Sequence, residues 1–150
     1  MRISAKADYA VRAMLELATA DEPLSADAVG RRQGIPVAFL QKIFADLRLS
    51  GLVTTHRGRE GGYRLSRAAT AITVADVLRA VEGPLADVHG HAPEDIAYRD
   101  VAESLQDVWI ALRANVRDVL EGVTLADVQR GRLPRRIARL AAAEDARLRR

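Results

Sequence analysis

No cysteine occurs among the 150 residues of this chain. That excludes disulfides, thiolate metal centres and thiol nucleophiles, and it leaves the redox compartment unmarked. Histidine is nearly as scarce, with His56, His89 and His91 the whole complement. No phosphate-cradling G-x-x-x-x-G-K-S/T motif occurs, no dinucleotide G-x-G-x-x-G lies between a strand and a helix, and no motif pairs a nucleophile with a base. An enzyme is therefore not expected. No apolar run approaches the eighteen or so residues of a membrane span, and Met1 leads into a helical pattern instead of a signal peptide. The expectation is a cytoplasmic protein without a membrane partner. No internal repeat is present. What remains is 49% hydrophobic and 29% charged, a globular balance that suits one moderate core plus an appendage.

The charge is unevenly spread. Residues 1–67 carry 11 basic and 7 acidic side chains, residues 68–129 carry 4 and 11, and residues 130–150 carry 8 and 2. A basic N-terminal module followed by an acidic body suits phosphate binding, because the attraction is local and the acidic part can stay turned away.

The informative stretch runs from Ser25 to Ser66. Ser25 can cap a helix over Ala26–Gln33, Leu24 can staple its first turn, and Gly34 supplies a left-handed stop. Pro36 suits the first position of a second helix. There Leu40, Ile43, Phe44 and Leu47 form one apolar stripe before Gly51, leaving Val37, Ala38, Gln41, Lys42, Ala45 and Arg48 facing outward. Two short helices with a glycine-bearing turn match a helix-turn-helix, although ordinary helical hairpins share the pattern. Strand-forming residues over Leu52–Thr55 and Gly62–Ser66 then bracket Arg57-Gly58-Arg59-Glu60-Gly61, a hairpin whose arginines suit a minor groove.

Several blocks together resemble the Rrf-two family of winged-helix regulators: Met1 to Met14, Gly34 to Phe44, Arg57 to Tyr63, and Val74 to Gly83. The likeness runs in order from Met1 to about Val128. It implies a dimeric bacterial transcription factor, usually a repressor, with a long C-terminal helix that makes the dimer. Many members hold an iron-sulfur cluster through three cysteines between the helix after the wing and the long helix. This chain has none, so no cofactor is expected.

Around this module, Ser4 can cap a first helix with Ala7, Val11, Met14, Leu15 and Ala18 on its apolar face. Arg2 and Lys6 near its start either touch phosphate or are simply solvated. Thr73 and Asp76 suggest a capping box for a helix through Val81, and Thr124 with Asp127 repeats the pattern in a short helix closed by Gly131. Between Leu85 and Ala97 the pattern dissolves into a polar loop. His89 and His91 there lack a third strong donor, so no metal site is assigned. From Tyr98 to Gly122 the positions Val101, Leu105, Val108, Leu112, Val116 and Val119 form a continuous stripe, widened by Ala102 and Trp109. A helix of that length would reach roughly 37 Å, more than a small winged-helix core covers. Pairing with a partner helix is the reading, and the resemblance implies that the partner is a second copy. Arg132 to Arg150 reads as a helix or a frayed basic tail.

The expected fold is mainly α with a small β-hairpin wing: a winged helix-turn-helix over residues 1–83, a loop over 84–97, a dimerisation helix and short following helix over 98–131, and a basic tail over 132–150. The expected function is a sequence-specific repressor that binds a palindromic operator in double-stranded DNA as a homodimer. Candidate DNA contacts are Lys6, Ser25, Ala38, Phe39, Gln41, Lys42, Arg48, Arg57 and Arg59. The alternative is a winged-helix protein-protein adaptor, with Phe39 as the residue that anchors it, touches DNA or packs as core. Regulation would act through a small molecule in an apolar pocket around Trp109, between the wing module and the long helix, or through a protein effector. Trp109 is either plain core or the wall of such a pocket.

Overall fold

The computed structural model describes residues 2–59 and 61–148. Met1, Glu60 at the tip of the expected wing, and Arg149 and Arg150 of the basic tail lie outside them. Local signals in the sequence set most boundaries. Helix α1 (Ala5–Thr19) starts where the Ser4 hydroxyl accepts from the Ala7 amide at 3.0 Å. Helix α2 (Ala26–Gln33) starts where Ser25 accepts from Ala28 at 3.1 Å, and it stops at Gly34, whose φ of 65° is left-handed. Helix α3 (Val37–Leu49) follows, with Pro36 just ahead of its first turn and not within it.

Strands β1 (Val53–His56) and β2 (Gly62–Leu65) pair antiparallel, with Val53 opposite Leu65 and His56 opposite Gly62. β1 thus lies one residue further along than the composition suggested. The hairpin is tied to the chain ahead of α2: Leu24 and Tyr63 exchange backbone bonds of 3.0 and 2.8 Å. A Cβ on Gly62 would sit 2.5 Å from the Leu24 carbonyl carbon, so this approach requires glycine.

Helix α4 (Val74–Glu82) and helix α6 (Leu125–Gln129) carry matching capping boxes, Thr73 with Asp76 and Thr124 with Asp127. Their entries are joined by an antiparallel bridge, with Val74 donating to Val123 and Leu125 to Ile72, both at 2.9 Å. This join places Leu125 in the main core with Phe44, Met14, Leu40, Ile43 and Val77. A smaller core, Ala7, Ala75, Leu78, Leu85 and Val116, attaches helix α5 (Leu105–Glu121) to the body. Helix α7 (Arg135–Ala142) and a 3-10 turn at Glu144–Arg147 give the tail some helical structure. Among the described residues no helix is long and apolar enough to cross a membrane.

The expected helix from Tyr98 to Gly122 is shortened. α5 has 17 residues, about 25 Å. Ahead of it lie an extended stretch and a 3-10 turn at Asp100–Ala102, entered through Asp100 at a φ of 53°. A left-handed residue cannot continue a right-handed helix. Val101 is consequently off α5 and fully exposed.

Candidate nucleic-acid interface

The apolar stripe of α3 fixes its rotation. Leu40, Ile43, Phe44 and Leu47 are buried, and Phe44 stacks on Tyr63 with ring centres 4.0 Å apart. The opposite face presents Ala38, Gln41, Lys42 and Ala45 to solvent, and Arg48 is exposed in the last turn. Val37, expected outward, is half-buried over Gly30. Phe39 is not core: it is 55% exposed and meets Tyr9 edge-on at 6.2 Å. Arg12 lies over the other aromatic of that pair, 5.6 Å from the Tyr9 ring centre.

The basic side chains of the module divide into two sets. Arg12 is held by Asp8 and Gln33, Arg32 by Glu16, Arg64 by Glu22 and Arg67 by Asp76. Lys42, Arg48, Arg57 and Arg59 are exposed and have no ion-pair partner among the described residues. Those four lie on α3 and at the hairpin tip; Arg2 ahead of α1 and Arg31 on α2 are likewise exposed without an ion pair among the described residues. A cation already neutralised gains little from a phosphate, whereas a free one releases counterions when it binds.

Two sequence-predicted contacts are otherwise employed. Lys6 forms an ion pair with Asp46 of α3 at 2.8 Å and donates to the Val81 carbonyl at 2.7 Å. It ties α3 and α4 to α1 while its side chain stays 44% exposed. The Ser25 hydroxyl is the α2 cap described above, although the residue is exposed. One residue that the sequence reading passed over is His56. It joins Arg57, Arg59, Arg64, Pro23 and Glu22 around a polar hollow of about 480 Å³ beneath the hairpin tip. The signal was its place directly before Arg57 on an exposed strand end.

The expected dimerisation stripe is split. Val108 and Leu112 are 53% and 42% exposed, while Leu105 and Val119 are half-buried. Val116 is buried in the protein's own smaller core, which corrects its assignment to a free seam. Trp109 is half-buried, donates from Nε1 to the Tyr98 hydroxyl at 3.1 Å, and lines a cavity with loop residues 86–89. That places the expected pocket between the loop and α5, away from the wing.

Loop 85–97 is braced from α5. The Gln106 side-chain amide donates to the carbonyls of Ile96 at 2.8 Å and of Pro93 and Glu94 at 3.2 Å. Arg113 pairs with Glu94 and holds its carboxyl below the usual range, mainly through that side-chain hydrogen bond. Among the described residues no three histidine, aspartate or glutamate side chains are grouped to hold a metal ion.

A recognition helix with free cations beside an arginine-tipped hairpin defines a winged-helix DNA-binding protein. A family model described as iron-dependent transcriptional regulator, Rrf2, matches residues 3–131. A Mycobacterium tuberculosis protein named as an HTH-type transcriptional regulator is 52% identical over 143 residues, covering 94% of this chain and 89% of that one. The HTH-type transcriptional regulator CymR of Bacillus subtilis is 34% identical over 130 residues, covering 85% and 89%. Among solved structures, CymR, the global cysteine regulator of B. subtilis, superposes with a TM-score of 0.74 at 31% identity, covering 87% of this chain and 98% of that one. T. potens IscR superposes with a TM-score of 0.71 at 29% identity, covering 100% and 93%.

The chain belongs to the Rrf2 family of transcriptional regulators and is not an enzyme. Iron dependence in the family description does not fit this donor set as a thiolate-held cluster. There is no cysteine to supply one.

Proposed function

We propose that this regulator is a homodimeric repressor that acts on chromosomal DNA in the cytoplasm and reads a palindromic operator. The observation that supports the reading is the cluster of exposed cations on α3 and at the hairpin tip, Lys42, Arg48, Arg57 and Arg59, together with an apolar face on α5 at Val108 and Leu112 that its own body leaves uncovered. A two-fold protein presents two recognition helices to half-sites one helical turn or a multiple apart. Within each half, Gln41 reads an adenine edge, Lys42 a guanine edge, and Ala38 meets a thymine methyl. Arg57 and Arg59 enter the adjacent minor groove. Phe39 stands at the edge of this face, where a sugar or a thymine methyl would cover its exposed ring. An adaptor role would use the same phenylalanine but has no need of the four unpaired cations.

Titrations on operator and random duplexes at several salt concentrations test this division. Gln41→Ala is expected to cost about 1 to 3 kcal/mol on the operator and to relax one position per half-site. Arg59→Ala is expected to weaken both duplexes and to flatten the salt slope by about 1. Equal losses on both duplexes for Gln41→Ala would remove it from base reading.

A further inference from the structure

The stretch between α4 and α5 contains every non-glycine residue of positive φ among the described residues: Ala86 at 54°, His89 at 54° and Asp100 at 53°. Backbone of this kind persists where its surroundings over-determine it. Here they do. Val88 and His91 exchange backbone bonds of 2.9 and 3.0 Å, Asp87 Oδ1 accepts from the Gly90 amide at 2.9 Å, and Gln106 and Arg113 hold the following turn.

The braced loop stands off α5 and leaves a cavity of about 350 Å³, lined by Ala86, Asp87, Val88, His89, Trp109 and Leu112. That is the small end of the usual range for ligand pockets, about 300 to 1,000 Å³. Its walls are mostly apolar. Asp87 is the one carboxylate on the lining, and neither lysine nor arginine lines it. Its second oxygen has no partner among the described residues. The indole N–H of Trp109 is already engaged by Tyr98, which leaves the ring face as what that side chain can offer.

We propose that this cavity is a ligand site for a compact aromatic amine, one ring carrying a short cationic chain. The ring packs between Trp109, Leu112 and Val88, and the ammonium group faces Asp87. The indole face adds attraction for the same cation. An anion of similar shape meets the carboxylate without compensation. The site does not depend on how the chain reads DNA, and a measurement without DNA tests it alone.

Trp109 is the single tryptophan, so its fluorescence in the full chain reports on this cavity directly. The probes are phenethylamine, 2-phenylethanol and phenylacetate, which share a ring and differ in charge. A saturable change is expected for the amine and the alcohol, with the amine about fivefold tighter, and none for phenylacetate over the same range. Asp87→Asn keeps an acceptor for Gly90 and is expected to make amine and alcohol equal. Val88→Phe fills the cavity and is expected to abolish both responses. Absence of saturation with every probe, or equal affinity for all three in the wild type, would overturn the proposal. So would binding to a monomeric Val108→Glu chain but not to the wild type, because the occupant would then be a second copy.

Discussion

Helices α3 and α5 have similar apolar periodicity and opposite fates. α3 buries four apolar side chains in 13 residues, whereas α5 buries one, Val116, in 17. The stripe of α3 is consumed by contacts with α1, α2, α4 and β1, and its polar face is left in solvent. The stripe of α5 rests on α4 through its C-terminal half, and its N-terminal half faces a braced loop and solvent. Periodicity marks a face that must be covered. It does not say whether the cover is the same chain, a second copy or a ligand.

The largest effect should come from the α3 side of this comparison. Phe44→Ala empties a fully buried site stacked on Tyr63 and is expected to cost about 3 to 5 kcal/mol, which denaturant melts would read as loss of the whole module. On α5, Val108→Glu should leave each protomer folded, because the side chain is half-exposed in the monomer. In a dimer seam it would bury an unpaired charge, at a cost of about 3 to 5 kcal/mol. Sedimentation should then show monomers, with operator binding lost alongside, and a wild type that sediments as a monomer would end the dimer reading.

Smaller effects sharpen the boundary between the halves. Thr124→Ala removes the side-chain cap of α6, leaves the backbone bridge to α4, and is expected to cost about 1 kcal/mol. The same box is acid-sensitive. Hydrogen bonds from the Thr124 backbone and side chain hold the Asp127 carboxyl below its usual range. A carboxyl depressed in the folded state stabilises above the unfolded value, and that contribution disappears as pH falls through the folded one. Protection factors of the α6 amides should therefore fall as pH drops below the ordinary aspartate range, and Asp127→Asn should blunt the dependence. Smallest is Lys6→Met, which breaks a half-exposed pair worth about 0.2 to 1 kcal/mol. Its salt slope on DNA should match the wild type, in contrast to Arg59→Ala. A flattened slope would return Lys6 to the phosphate contacts.

Much of the DNA-binding half was legible because its signals are local. Ser4, Ser25, Thr73 and Thr124 each act as the cap that the sequence suggests, and Gly34 makes the expected left-handed stop. The hairpin was misplaced by one residue at β1, since the Leu52 amide is taken by the Leu47 carbonyl at the end of α3. The start of α5 was misread because valine and alanine fit the helical period at Val101 and Ala102 while Asp100 breaks it through its backbone, which composition does not reveal. The partners of Lys6 went unseen because Asp46 and Val81 are 40 and 75 residues away in the chain. Long-range ion pairs leave no local mark. The bracing of the polar loop by Gln106 and Arg113 was invisible for the same reason.

In the proposed function, the outward side chains of α3 and the hairpin read DNA from two copies at once. Selection from random duplex DNA by the purified full chain addresses it most directly. The expected result is a two-fold symmetric consensus whose half-site centres lie about 10 base pairs or a multiple apart. Enrichment of a single asymmetric site, or no enrichment over the starting pool, would contradict it.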